Sequence, residues 1–290
     1  MKNGIIQKAI LPVAGFGTRF LPASKAQPKE MLPIVDKPIV QYLVEEAVAS
    51  GIKDVIFVTG RGKRAIEDHF DHSFELEHNL VEKGKHNFLK EIANISNLAN
   101  FIYVRQPLPF GDGHAILCAK KLIGSREPFA VLFGDDIVDS KIPCIKQMMA
   151  IFGKYGDPVV ALERVPRKDV SKYGVVSSVK IEERTYQIKD VIEKPTIKEA
   201  PSNLIVVGKY ILTPDIFYFL EKLEKSGKKE IRLADALGLM LKKRPVYGYE
   251  FKGKRYDCGS KIGLLKAQVE FGLKHLEIGG DFKQYLRKHR

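Results

Sequence analysis

Residues 11–33 of this chain read LPVAGFGTRFLPASKAQPKEMLP, and that stretch decides more than any other. It leaves an apolar run, breaks at Gly15 and Gly17, and then sets Arg19, Lys25 and Lys29 among prolines. Glycines let backbone N–H groups approach a ligand closely, and cations neutralise phosphate oxygens, so the stretch suits a nucleoside triphosphate. Two better-known loops do not match. The dinucleotide fingerprint needs a third glycine where Phe20 stands, and a Walker loop needs a Gly-Lys-Ser/Thr that is absent. Pro22 and Pro28 argue against a helix directly after the glycines, which makes the loop long and irregular. A bare G-x-G also suits a plain strand-to-loop turn. The Gly-Thr-Arg triplet and the Pro-Lys-Glu that follows favour the phosphate reading.

Outward from this loop the pattern alternates. Strands are expected at residues 7–13, 54–59, 101–105 and 129–133, and helices at 37–51, 63–70, 113–123 and 142–156, with a peripheral helical segment at 73–97. Alternating strands and helices imply an α/β fold with a parallel sheet covered on both faces. Beyond residue 156 the connections shorten. Strands are expected at 159–165, 174–179, 186–192, 204–212 and 246–251, and helices at 214–223, 231–243 and 262–275. The expected architecture is a single domain over residues 1–290, built on one mixed, mostly parallel sheet flanked by helices. Its nucleotide-binding half spans about residues 1–140 and its sugar-phosphate half about 141–290, with ligands at the carboxyl ends of the strands.

Composition narrows the function classes. With 44% hydrophobic and 29% charged residues the 290-residue chain reads as soluble and globular. No apolar run approaches the ~20 residues of a membrane span, and the N-terminus reads as a strand, not a signal peptide. Cys118, Cys144 and Cys258 form no C-x-x-C, which points to reduced thiols, a cytoplasmic protein and no zinc site. The net charge of +13 comes from dispersed Lys and Arg without a nucleic-acid recognition motif. Specific nucleic-acid binding is therefore not expected; a solvated surface accounts for most of the charge, and a polyphosphate substrate would be drawn by the rest.

Two acidic positions stand out. Asp135 and Asp136 follow directly on an apolar strand, at its carboxyl end, and Asp257 lies between a strand and a helix. Carboxylates from two distant strand ends suit one Mg²⁺ shared with substrate phosphates, although a lone strand-end Asp also suits helix capping or a loop ion pair. Glu193-Lys194 ends another strand, where a carboxylate can accept from a sugar hydroxyl and a cation can meet a phosphate. Gln106 ends the strand at 101–105 and offers a donor and an acceptor to a base edge. His114 opens a helix and reads as a capping or supporting residue. No Ser-His-Asp or Cys-His arrangement is present, so a covalent nucleophile is not expected.

With these pieces in place the chain resembles the sugar-nucleotide pyrophosphorylases, and within them the bacterial UTP–glucose-1-phosphate uridylyltransferases. The resemblance covers nearly the whole length. It rests on residues 11–42, on RQPLPFGDGHAILCA, FGDD, YGVV, VIEKP, APSNLIVVGKYIL and YDCGSKIG, and on PKEMLPIVDKP with IEDHFDHSFELE for the uridylyl branch. It implies a Rossmann-like nucleotidyltransferase fold and the conversion of UTP and α-D-glucose 1-phosphate to UDP-glucose and pyrophosphate with Mg²⁺, often in a homodimer or homotetramer. By motif, Ala14, Gly15, Gly17, Thr18, Gln106 and Gly111 would bind the nucleotide, with Gln106 on the uracil. Arg19 and Lys29 would act on the triphosphate, Asp135 and Asp257 would hold the metal, and Gly174, Glu193 and Lys194 would hold the sugar phosphate. Asp112 stands where relatives usually show Leu, Ser24 where many have Thr, and residues 229–235 read KEIRLAD where relatives read GEIQLTD. These departures leave the sugar less defined than uridylyl transfer. Another sugar 1-phosphate or nucleotide, or a non-catalytic sugar-nucleotide sensor, is the alternative.

Overall fold

The computed structural model describes residues 5–289. Its strands are, in chain order, β1 (Lys8–Pro12), β2 (Pro33–Ile34), β3 (Lys37–Pro38), β4 (Asp54–Thr59), β5 (Asn100–Arg105), β6 (Phe129–Leu132), β7 (Asp136–Asp139), β8 (Val159–Arg164), β9 (Gly174–Glu182), β10 (Thr185–Glu193), β11 (Leu204–Leu212), β12 (Tyr247–Glu250) and β13 (Lys254–Asp257). Nine of them form one sheet in the order β5-β4-β1-β6-β11-β8-β12-β10-β9. Alternate residues of each central strand feed opposite cores. Ala9, Leu11, Val55 and Phe57 pack under the helices Ile39–Ala49 and Cys144–Tyr155. Ile10, Ile56, Val58 and Val131 pack under Asp112–Cys118, Ile216–Lys225 and Leu233–Leu241.

The sheet is mixed, but parallel pairing is less widespread than the sequence led us to expect. It joins β5, β4, β1 and β6, and recurs only between β8 and β12. The remaining pairings are antiparallel, because short connections such as that between β9 and β10 allow hairpins. β11 is long enough to serve two neighbours on one side. Its last residues pair with β6, while Ile205 near its start pairs with Val175 of β9, so the second half of the sheet curls back on itself.

Several boundaries differ from expectation for local reasons. The first helix begins at Ile39, because Lys37–Pro38 is drawn into a ladder with Pro33–Ile34. Residues 73–97 form two helices, Phe74–Glu82 and His86–Ser96, broken at Gly84 with φ +63°. The helix expected over 113–123 stops at Cys118 and resumes as a 3₁₀ turn at Lys120–Leu122. A closing helix, Gly279–Lys288, lies beyond the expected elements. No helix among the described residues is long and apolar enough to cross a membrane, and all three cysteines carry free thiols.

The feature that most affects the site is the unexpected two-stranded ribbon of β7 and β13. Its register sets Asp257 opposite Asp136. Arg255, from the same ribbon, donates through Nε to Asp136 Oδ1 at 2.5 Å and through a terminal nitrogen to Glu163 Oε2 at 3.2 Å. Its guanidinium also lies 5.0 Å from the ring centre of Tyr173. Burial works against the charge on Arg255, but Asp136 and Glu163 outweigh it and raise its pKa. A second buried pair braces the floor of the sheet. Lys209 of β11 is wholly buried and donates to Glu46 Oε2 at 2.7 Å, while Glu46 Oε1 accepts from the Ile145 N–H at 3.2 Å. This carboxylate thus ties β11 to the start of the helix Cys144–Tyr155.

Removing one partner of a buried ion pair leaves an uncompensated charge, which costs about 3–5 kcal/mol. Glu46→Ala and Arg255→Ala are each expected to lose that much in urea unfolding. A loss below ~1 kcal/mol, typical of an exposed pair, would show that the cluster concerned does not bear on stability.

Candidate active site

Two adjoining cavities open at the carboxyl ends of the central strands. The smaller, about 400 Å³, is lined by Ala14, Gly15, Lys29, Gln106 and Gly111 among others. The larger, about 960 Å³, is lined by Arg19, Gly174, Glu193, Lys194, Arg255 and Asp257 among others. Asp112, Phe133 and Asp135 belong to both walls, so the two spaces meet at the end of β6.

The glycine loop forms the rim of the smaller cavity. A side chain built on Gly15 would stand in open space, so what the glycine keeps there is room. Gly17 has φ +65°, and a Cβ on it would come within 3.1 Å of the Lys29 Cβ; the loop packs on the stem of that lysine. Ser24 closes the turn by donating to the Gly17 carbonyl at 2.7 Å. Gly17 and Thr18 line neither cavity, whereas Arg19 reaches across to the Gly259 carbonyl at 3.4 Å. Lys29 donates to Asp135 Oδ2 at 2.7 Å. Burial opposes both charges, but each partner supports the other: the Lys29 pKa is raised and the Asp135 pKa lowered. Beneath them Glu30 pairs with Lys63 at 2.8 Å, out of solvent, and a Cβ on Gly134 would sit 2.8 Å from the Glu30 side chain. The loop is therefore anchored from below by one ion pair and across the cavity by another.

Gln106 continues the ladder beyond β5 with its N–H on the Thr59 carbonyl at 2.8 Å, which fixes its backbone at the cavity wall. The loop after it is zipped to the segment that departs from the family pattern. The Gly113 N–H donates to the Ile231 carbonyl at 2.9 Å, the Ile231 N–H to the Phe110 carbonyl at 2.7 Å, and the Leu233 N–H to Asp112 Oδ1 at 2.8 Å. Asp112 thus caps the start of the helix Leu233–Leu241 from another part of the chain, at a helix end that carries no side-chain cap of its own.

In the larger cavity, Gly174 starts β9 and Glu193 ends the adjacent β10. A Cβ on Gly174 would come within 3.1 Å of Glu193 Oε2. Lys194 holds φ +46°, and its N–H donates to the Tyr173 carbonyl at 3.0 Å, which turns the chain at this wall. Asp257 accepts from the Gly259 N–H at 3.1 Å and from the Tyr173 hydroxyl at 3.3 Å. Burial and then Asp136 push its carboxyl above the ordinary range. Gly259 stands between the two acidic residues singled out in the sequence: a Cβ there would lie 2.4 Å from Asp135 Oδ2 and 3.1 Å from Asp257 Oδ1. Asp136 also lines the larger cavity, but its carboxylate is taken up by Arg255 and by the Gly208 N–H at 2.8 Å.

The sequence reading missed Tyr173, Arg255, Lys172 and Lys266, which also line the larger cavity. Tyr173 lay inside the quoted YGVV, next to Gly174. Arg255 had no local signal, because its value depends on the pairing of β7 with β13.

Comparison with known proteins shows the family to which this chain belongs. A family model described as nucleotidyl transferase matches residues 8–272. A Bacillus subtilis protein named UTP–glucose-1-phosphate uridylyltransferase YngB is 50% identical, over 97% of this chain and 94% of its own length. A UTP-bound UGPase from Acinetobacter baumannii is 41% identical with a TM-score of 0.92, over 99% of this chain and all of that one. A UDP-glucose pyrophosphorylase solved with UDP-glucose is 47% identical with a TM-score of 0.85, over 93% of this chain and all of that one. This chain belongs to the nucleotidyl transferase family.

Proposed function

We propose that the protein is a UTP–glucose-1-phosphate uridylyltransferase: it transfers UMP from UTP to α-D-glucose 1-phosphate and releases pyrophosphate. The observation that carries this reading is the pair of cavities sharing a wall at Asp135, with Lys29 on that carboxylate. One space suits a nucleotide, the other a sugar phosphate, and their junction is where the two would react. The relatives' names identify the uridylyl donor and glucose as the first pair to test. A cytoplasmic enzyme, assembled as a homodimer or homotetramer, completes the proposal.

An oxygen of the glucose phosphate attacks the α-phosphorus of UTP, a new P–O bond forms, and the bond to the pyrophosphate oxygen breaks in line. Both reactants are anions, so repulsion is the first obstacle. Arg19 and Lys29 bind the triphosphate and Lys194 the sugar phosphate, which lowers that repulsion and fixes the approach angle. Glu193 accepts from sugar hydroxyls, Gly174 leaves room beside it, and Gln106 with Ala14, Gly15 and Gly111 seats the uracil. No general base is required, because the attacking phosphate is ionised at neutral pH.

Asp135 and Asp257 fit a Mg²⁺ ion. Two carboxylates flank the space kept open by Gly259, a set that Mg²⁺ takes together with phosphate oxygens. When bound, Mg²⁺ would neutralise phosphate charge and orient the triphosphate.

A pyrophosphate-release assay over a grid of nucleoside triphosphates and sugar 1-phosphates is expected to give the highest kcat/KM for UTP with glucose 1-phosphate. A different leading pair would replace the substrate assignment, and no pyrophosphate with any pair would favour a sensor. Lys29→Ala is expected to lower kcat at least ~100-fold, or ~2.7 kcal/mol of transition-state stabilisation, as for loss of one preorganised donor; near-parent turnover would remove Lys29 from the mechanism. Asp135→Asn and Asp257→Asn should each cripple turnover across a Mg²⁺ titration, and either one retaining parent activity would lose its place as a metal ligand.

A further inference from the structure

We propose that His114 is a positioning residue that sets which end of the Gln106 amide meets the base, and so helps the site choose uracil over cytosine. The inference rests on the uridylyl reading above and extends it to a residue outside the cavity lining.

The argument begins with the hydrogens of one amide. Gln106 Nε2 lies 2.9 Å from the Gly111 carbonyl oxygen, which can only accept, so this end of the side chain is the NH₂ group. The same nitrogen lies 3.0 Å from His114 Nδ1. Both N–H bonds are thereby used, and Nδ1 must be an acceptor. His114 is then neutral with its proton on Nε2, which points toward Glu224 Oε1 at 3.9 Å. Gln106 and His114 are both buried, so neither amide hydrogen can turn to bulk water for a partner.

With NH₂ spent on the protein, the oxygen Oε1 is the end left for the smaller cavity. Oε1 is an acceptor, and it matches the N3–H of uracil. Cytosine carries a lone pair at N3, so the same amide meets it acceptor to acceptor. The Gly111 carbonyl is held in place by a backbone that only glycine tolerates: φ is +102°, and a Cβ would lie 2.5 Å from the Ile231 carbonyl. That carbonyl can satisfy one amide hydrogen. The second needs His114 Nδ1, and without it a buried N–H is left unpaired. The groups around the ring are Glu224 on the helix Ile216–Lys225, Cys118 Sγ at 4.0 Å on its own helix, and the Phe110 ring set edge-on at 5.4 Å.

The test compares kcat/KM for UTP and CTP, and their binding by calorimetry, in the parent, His114→Leu and His114→Asn. Asn can place an acceptor near the position of Nδ1, which Leu cannot. The parent is expected to favour UTP strongly, and His114→Leu to lower the UTP/CTP ratio about tenfold or more, the scale of one unsatisfied buried N–H. His114→Asn should keep the parent ratio. A Leu variant with the parent ratio, or an Asn variant whose ratio falls as far as that of Leu, overturns the role of His114. If Leu does not fold, the Asn variant decides alone: a ratio about tenfold or more below the parent's overturns it. A parent that does not favour UTP over CTP overturns the uridylyl reading itself, and this inference with it.

Discussion

The crowding of three carboxylates, Asp135, Asp136 and Asp257, at neighbouring strand ends is the constraint on which the rest of the site depends. Like charges this close, partly removed from water, repel strongly unless each finds its own compensation. The chain resolves the three differently. Asp136 is committed to structure: Arg255 and the Gly208 N–H take both its oxygens. A Cβ on Gly208 would come within 2.6 Å of that carboxylate, so a bulkier residue would break the arrangement. Asp135 is compensated by Lys29, a side chain that also lines the smaller cavity. Asp257 is the least relieved, with burial and its two acidic neighbours among the causes that raise its pKa. The least compensated negative charge therefore lies on Asp257, across Gly259 from Asp135.

The same economy joins the two halves of the sheet. Residues 110–113 beside the smaller cavity and residues 231–233 beside the larger one are held by three hydrogen bonds, one of them from the Asp112 side chain. A shift on one side must be felt on the other. Two of the three departures that the resemblance implied, Asp112 and residues 229–235, are therefore one structural event. Where the usual segment brings Thr to position 234, this chain has Ala234, and a carboxylate from position 112 caps the helix start.

Much of this was legible in the sequence, and what was not has a common cause. β4 and β11 fall at the expected residues because their apolar runs are bounded by turn residues. The loop at residues 11–33 was readable because its glycines and cations act locally. The β7–β13 ribbon was not, since Asp136–Asp139 and Lys254–Asp257 are four residues each and only partly apolar, and each becomes a strand through the other. Arg255, Tyr173 and Lys63 share that dependence: nothing next to them in sequence declares the partner. Gln106 could be proposed as a base reader from its place at a strand end and its amide, but the orientation of that amide depends on His114 and Gly111, eight and five residues away.

Lys29 shows how the fold prepares a charge for reaction. Its pairing with Asp135 places a cation at the seam between the two cavities and keeps it charged despite burial. On the proposed function, a bound triphosphate would give Lys29 a second anionic partner, and Asp135 with Asp257 would hold the Mg²⁺ that neutralises phosphate charge beside it. Glu30, one residue on and locked to Lys63, braces the backbone beneath Lys29. On the proposed function a braced backbone serves in-line transfer between two anions, because the approach angle must hold while charge develops.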